Sequence, residues 1–255
     1  MRREPRWPLR SGSLAAPASS SGTVPSGCST RSRGFATARS PTRTGARVKA
    51  GGVHGGLGGR EAHVRSGTER PHRPWHRSLW QGIRAVEPGS IAVEVGVYRG
   101  GSARFLPEAA HALERGIELY ACDTFAGHAV VDPAVDGRHR VGETFAAVQF
   151  RHVEGYLAPL GNVRLVVGDI RERARDIPNR PVGMPHVDVD VYPATAFTLN
   201  YFADRMPAGG VVVVDDYGFT TCAGAKQAVD EFVAANASWR FFHLLTGQGI
   251  LIRAA

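Results

Sequence analysis

The 255-residue chain is 43% hydrophobic, which suits one α/β domain with residues left over for a tail. No run approaches the ~18 apolar residues a membrane helix needs, and the three cysteines, Cys28, Cys122 and Cys222, show neither C-x-x-C spacing nor a disulfide framework. The net charge of +8 is uneven: residues 1–75 hold 14 of the 31 Lys+Arg and 3 of the 23 Asp+Glu, which leaves −3 on the other 180 residues. Nucleic-acid binding therefore belongs to the tail or nowhere, because a phosphate surface needs clustered positive charge. A reducing cytoplasm and no membrane partner are the expectation, and self-association stays open.

Residues 1–70 are rich in Arg, Ser, Gly and Pro and show no apolar period. Such composition buries too little surface to offset ordering entropy, so a disordered basic tail is expected. A targeting segment and an early translation start are alternatives. The domain is expected over 71–255. A helix is predicted over 75–85, with Trp75, Leu79, Trp80 and Ile83 on one side. Ile91–Val95 reads as a strand, followed by a Gly-rich turn over 96–101. A helix is predicted over 102–115, kinked or delayed by Pro107. Next come a strand over 117–122, a polar loop over 124–141, a helix over 143–160 and a strand over 163–167. Residues 172–176 read as a short helix, and 184–189 as a weak strand interrupted by Pro185. A helix over 195–205, a clean strand over 210–214 and a helix over 223–235 follow. Strands over 240–245 and 249–252 are joined by Thr246-Gly-Gln-Gly as a hairpin. The alternation points to a Rossmann-like, mostly parallel sheet with helices on both faces and a C-terminal antiparallel β-hairpin. Ligands of such sheets bind beyond the carboxyl ends of the strands.

Four constellations fall at strand ends. In Glu94-Val-Gly-Val-Tyr-Arg-Gly-Gly-Ser102, the glycines Gly96, Gly100 and Gly101 allow a sharp turn and close approach of a ligand, and a helix N-terminus follows. An acidic residue beside that turn repels a pyrophosphate but suits the cationic amino-acid end of S-adenosylmethionine. The alternative is a plain βα turn. Asp123, after the second strand, is placed to accept ribose hydroxyls, or else to cap a turn. Asp169, after the third, is placed to receive an adenine amino group, or else to cap the next helix. Asp188-Val-Asp190-Val-Tyr192 and Asp215-Asp216-Tyr217 end two apolar strands. Crowded carboxylates repel one another unless a cation sits among them. Hard oxygen donors without cysteine suit Mg²⁺, whose charge would lower the pKa of a substrate hydroxyl. The proton acceptor is Asp188 or, on the loop after Asp123, His128.

Val93–Ser102, Asp123-Thr-Phe-Ala-Gly-His128, His186-Val-Asp-Val-Asp-Val-Tyr192 and Gly209-Gly-Val-Val-Val-Val-Asp-Asp-Tyr-Gly218, followed by Ala228-Val-Asp-Glu-Phe232, occur in order. Together they resemble the macrocin O-methyltransferase family of class I S-adenosylmethionine-dependent methyltransferases, over about residues 68–253. The resemblance implies methylation of a sugar hydroxyl of a macrolide-like natural product, with Mg²⁺. It implies metal ligation by Asp188, Asp215 and Asp216. It implies cofactor contacts from Glu94, Gly96, Tyr98, Gly100, Gly101 and Ser102, and from Asp123 and Asp169. Two other readings are a catechol- or phenol-type O-methyltransferase and a cofactor-binding protein of this fold impaired in turnover, the latter motivated by Pro185.

Overall fold

A computed structural model describes residues 76–255. The expected basic tail and Cys28 lie outside the described residues. Seven strands form one sheet: β1 (Ile91–Val95), β2 (Leu119–Asp123), β3 (Val163–Val167), β4 (Val182–Val187), β5 (Val211–Val214), β6 (Trp239–His243) and β7 (Gly249–Arg253). Their order is β3-β2-β1-β4-β5-β7-β6. The first five pair in parallel, and β7 is antiparallel to both β5 and β6. The mostly parallel class I methyltransferase sheet with its closing hairpin is thus observed.

Six α-helices accompany it among the described residues: α1 (His76–Ala85), α2 (Gly101–Ala112), α3 (Phe150–Leu157), α4 (Ile170–Arg173), α5 (Tyr192–Ala203) and α6 (Ala223–Ala235). Successive strand side chains point to opposite faces, so two apolar layers result. Ile91, Val93 and Val95 pack with Leu199 and Phe202 of α5 and Val229 and Phe232 of α6. Ala92, Met184 and Val213 pack with Leu79 and Ile83 of α1 and Leu106 and Ala110 of α2. β1, fully buried, lies between β2 and β4 at the sheet centre.

Several boundaries differ from expectation for identifiable reasons. The helix predicted over 143–160 starts only at Phe150, because Gly142 and Phe145 hold φ of 69° and 62°. Left-handed backbone does not propagate a right-handed helix. Helix α4 starts at Ile170, where the Asp169 side chain accepts from the Arg171 amide at 3.0 Å. Helix α5 starts at Tyr192, with Pro193 in its first turn, where the missing N–H has no helical partner to lose. Pro107 stays inside α2, which runs on to Ala112. The strand read as weak over 184–189 is a buried central strand over 182–187. Pro185 pairs with Val93 of β1, and the β4–β5 ladder begins only at His186↔Val213, one residue later. The proline stands where a lost donor interrupts no rung of that ladder.

Candidate active site

A cavity opens beyond the carboxyl ends of β1, β2 and β4, where this sheet type binds its ligands. Gly96 follows β1 with φ 93°. Its amide donates to the Cys122 oxygen at 2.9 Å, and the Asp188 amide donates to the Val95 oxygen at 2.8 Å. A Cβ on Gly96 would stand 1.7 Å from the Asp188 carbonyl oxygen. Only glycine lets the turn after β1 lie against the end of β4, and Asp188 is thereby brought to the cavity floor.

Asp123 organises the same turn. Its Oδ2 accepts from the Val97 and Tyr98 amides, each at 2.8 Å, and its Oδ1 accepts from the Phe125 amide at 2.7 Å. Each carboxylate oxygen has two lone-pair sites, so Oδ1, with one donor, retains a free one on a residue that lines the cavity. Asp169 also borders the cavity while capping α4 and pairing with Arg171. Burial opposes ionisation there, yet the hydrogen bonds and charge of Arg171 hold the Asp169 carboxyl below its ordinary range.

Gly96, Asp123, Asp169 and Asp188 from the strand ends, Tyr98 from the turn after β1 and His128 from the loop after β2 line one cavity. Gly100, Gly101 and Ser102 do not line it. Gly100 is the left-handed N-cap of α2, Gly101 begins that helix and Ser102 is buried in it. Glu94 is wholly buried in β1, where its Oε1 meets His186 Nδ1 at 3.0 Å. That pairing follows from register, since Glu94 lies opposite His186 on neighbouring strands.

The acidic residues divide into two groups. Carboxylates of Asp188 and Asp215 come together with the His186 imidazole, all donor atoms lying within 4.8 Å of one another. Asp216 turns instead toward Asp190 and Cys222, and its Oδ2 accepts from the Asp190 amide at 2.9 Å. Burial first, and then the neighbouring Asp215, Asp190 and Glu94 carboxylates, push the Asp188 carboxyl up to about 7 against the pull of His186. Burial, Asp190 and Asp188 raise Asp216 as well. Burial acts against ionisation of Asp215, but the neighbouring His186 imidazole and the hydrogen bond from Gln248 leave it below its usual range. Burial opposes protonation of the His186 imidazole, but the Asp215 carboxylate beside it and the hydrogen bond and charge of Glu94 raise it well above its ordinary range, so it offsets part of this charge; carboxylates crowded together out of water are a donor set that a divalent cation would fit.

Residues without an assigned role from sequence also shape the site. Asp190 lines the cavity with a left-handed φ of 61°, a conformation that is uncommon outside glycine and often functional. His139 is buried and sits 3.1 Å from His128 Nε2 through its Nδ1 and 3.1 Å from the Thr221 oxygen through its Nε2. A carbonyl only accepts, so neutral His139 carries its proton on Nε2 and receives one from His128 Nε2–H. The cavity-lining His128 then keeps its lone pair on Nδ1. Burial lowers the His128 pKa, which favours that neutral form. The loop over 124–141 is polar as expected, but Phe145 just beyond it sets its ring edge-on to Tyr98 and to His128. No periodic signal marks these loop contacts in the sequence.

Residues 93–217 match the family described as a methyltransferase domain. The 8-demethyl-8-(2,3-dimethoxy-alpha-L-rhamnosyl)-tetracenomycin-C 4'-O-methyltransferase of Streptomyces olivaceus is 29% identical over 173 residues, 60% of this chain and 66% of that protein. Demethyldecarbamoylnovobiocin O-methyltransferase of Streptomyces niveus is 29% identical over 58% of this chain and 59% of its own length. The chain is related to S-adenosylmethionine-dependent O-methyltransferases. It spans about 60–70% of the length of the curated relatives it matches, mycinamicin III 3''-O-methyltransferase of Micromonospora griseorubida included. The structure of the O-methyltransferase NovP shares this methyltransferase fold with a TM-score of 0.60 at 24% identity, covering 70% of this chain and 79% of that one. The calicheamicin methyltransferase CalS11 does so with 0.58 at 20% identity, covering 69% and 76%. Among the described residues no helix is long and apolar enough to cross a membrane.

Proposed function

We propose that the chain is an S-adenosylmethionine-dependent, metal-dependent O-methyltransferase acting on a hydroxyl of a small natural product, a sugar of a macrolide-like compound. The observation that carries this reading is the cavity where Gly96, Tyr98, Asp123 and Asp169 from the β1–β3 ends meet Asp188, Asp190 and His128. The family match and the relatives' printed acceptors support it: a rhamnosyl-tetracenomycin, demethyldecarbamoylnovobiocin and mycinamicin III.

When bound, the cofactor supplies an electrophilic methyl group and the cation a charge that acidifies the acceptor hydroxyl. The chain's own part is to position and to move a proton. Gly96 and Tyr98 bound the methionine end. The free lone pair on Asp123 Oδ1 would take a ribose hydroxyl, and Asp169 would receive the base. Glu94, Gly100, Gly101 and Ser102 act through the shape of the turn. Asp188 and Asp215 would hold the cation, two of the three carboxylates of the all-oxygen set expected for Mg²⁺, while Asp216 bonds the Asp190 amide. The acceptor's proton passes to His128 Nδ1, the lone pair its contact with His139 leaves open, or to Asp188.

Calorimetric titration of the purified chain with S-adenosylmethionine, in Mg²⁺ and then in EDTA, tests the reading. Saturable binding followed by methyl transfer to a rhamnosylated acceptor is expected. Absence of binding by a folded sample in both buffers refutes it.

A further inference from the structure

Behind the Asp188 and Asp215 carboxylates lies a buried amide that the proposed reaction does not use. Gln248 is 1% exposed and stands one residue before β7. Gly249 pairs with Val214 in the antiparallel β5–β7 ladder, so the next residues outward, Gln248 and Asp215, come opposite each other. Gln248 Nε2 donates to Asp215 Oδ1 at 2.5 Å. Gln248 Oε1 accepts from Ser78 Oγ of α1 at 2.5 Å and from Thr246 Oγ1 at 3.2 Å. Chemistry fixes which amide atom goes where. A carboxylate only accepts, so the NH₂ end must meet Asp215, and the oxygen is left for hydroxyls, which can donate. An amide so placed cannot turn over without losing these bonds.

The two oxygens of Asp215 are thereby made unequal. Oδ1 carries the Gln248 bond and faces the edge of the His186 ring, with Nε2 at 3.8 Å. Oδ2 accepts no hydrogen bond among the described residues, yet it is not one of the buried atoms left without a partner, and the Asp215 side chain keeps 22% exposure. A carboxylate with neither oxygen anchored turns easily about its last torsion, which is broad.

We propose that Gln248 is a positioning residue of the metal site: with Ser78 behind it, it anchors Asp215 through Oδ1 and presents Oδ2 to the cation beside Asp188. This rests on the metal-dependent reading above and keeps its carboxylates. Hydrogen bonds to a ligating carboxylate fix its orientation, and losing one costs about 10- to 100-fold in metal affinity. The hold joins α1, the β6–β7 turn and the end of β5, so the first turn of α1 acts on a metal ligand it does not touch.

The test uses the full chain stripped with EDTA. Calorimetry measures Mg²⁺, electron paramagnetic resonance of free Mn²⁺ gives an independent affinity, and S-adenosylmethionine is titrated into the same samples. Gln248→Leu should weaken both metals about 10- to 100-fold. Ser78→Ala should weaken them in the same direction by less, and Ser78→Thr, which keeps the hydroxyl, should restore wild-type affinity. Cofactor affinity should stay at the wild-type value in all three. If Gln248→Leu does not fold, the Ser78 pair decides. Wild-type metal affinity in folded Gln248→Leu or in Ser78→Ala overturns the proposal, as does a Ser78→Thr variant no better than Ser78→Ala. A parallel loss of cofactor affinity also overturns it, because the residues would then support the whole site rather than one ligand. Failure of folded wild-type protein to take up either metal refutes the metal-dependent reading and the proposal with it, whereas equal uptake by wild type and variants refutes the positioning role alone.

Discussion

Replacing Gly96 by alanine tests how the turn after β1 delivers Asp188. The added Cβ would meet the Asp188 carbonyl oxygen at 1.7 Å and its carbon at 2.6 Å. An ordinary C···O contact is about 3.3 Å, so one backbone must retreat by roughly 1.5 Å. Neither can do so freely, since the Asp188 amide is bonded to Val95 and the Gly96 amide to Cys122. A left-handed φ costs a side-chain-bearing residue about 1–2 kcal/mol, and overpacking costs about 1–3 kcal/mol. The expected loss is roughly 2–5 kcal/mol. With a urea m-value of about 2 kcal/mol/M, the midpoint should fall by roughly 1–2.5 M. Gly101→Ala is the control. No heavy atom lies within 4 Å of its Cβ, and an alanine in a helix is favoured over glycine by about 0.5–1 kcal/mol. Urea unfolding followed by circular dichroism measures both, with cofactor titration on whichever variants fold. A Gly96→Ala midpoint matching the wild type would refute the close approach on which the site depends.

Asp123→Asn replaces one acceptor oxygen with a donor facing a backbone N–H, so stability should drop by about 1–3 kcal/mol even without ligand; an unchanged thermal midpoint would contradict the three amide bonds drawn to it. Cys122 and Cys222 are buried, and burial is the first cause that raises both thiols. A thiol reagent at pH 8 should leave both unlabelled until urea unfolds the domain, and peptide mapping that finds either modified quickly in native protein would count against their placement. Asp169 has a depressed pKa, so its stabilising contribution is present above the unfolded value of about 3.9 and is lost as pH falls through its native value. Asp169→Asn should therefore be destabilising at pH 6 and converge with wild type in acid unfolding near pH 2; a constant difference across that range would contradict the Arg171 pairing.

The order of strands and helices was legible from apolar runs and glycine-rich breaks, because strand identity is a local property of a five- or six-residue segment. The hairpin of β6 and β7 was legible for the same reason, as was the placement of Gly96, Asp123, Asp169 and Asp188 at strand ends. Pro185 misled because a proline's cost depends on which neighbour its missing N–H would face, and that is set by the β4–β5 ladder starting one residue later. Likewise, Asp215 and Asp216 are adjacent in sequence, yet one joins His186 and Asp188 and the other joins Asp190 and Cys222. Chain neighbours at a strand end leave on different sides of the sheet. Glu94 and His186 are 92 residues apart, and only the register of β1 against β4 makes them partners. The sequence by itself determined which chemical groups reach the carboxyl edge of the sheet. Tertiary structure decided which of them touch, because contact depends on register and facing direction, and neither is encoded within a single strand.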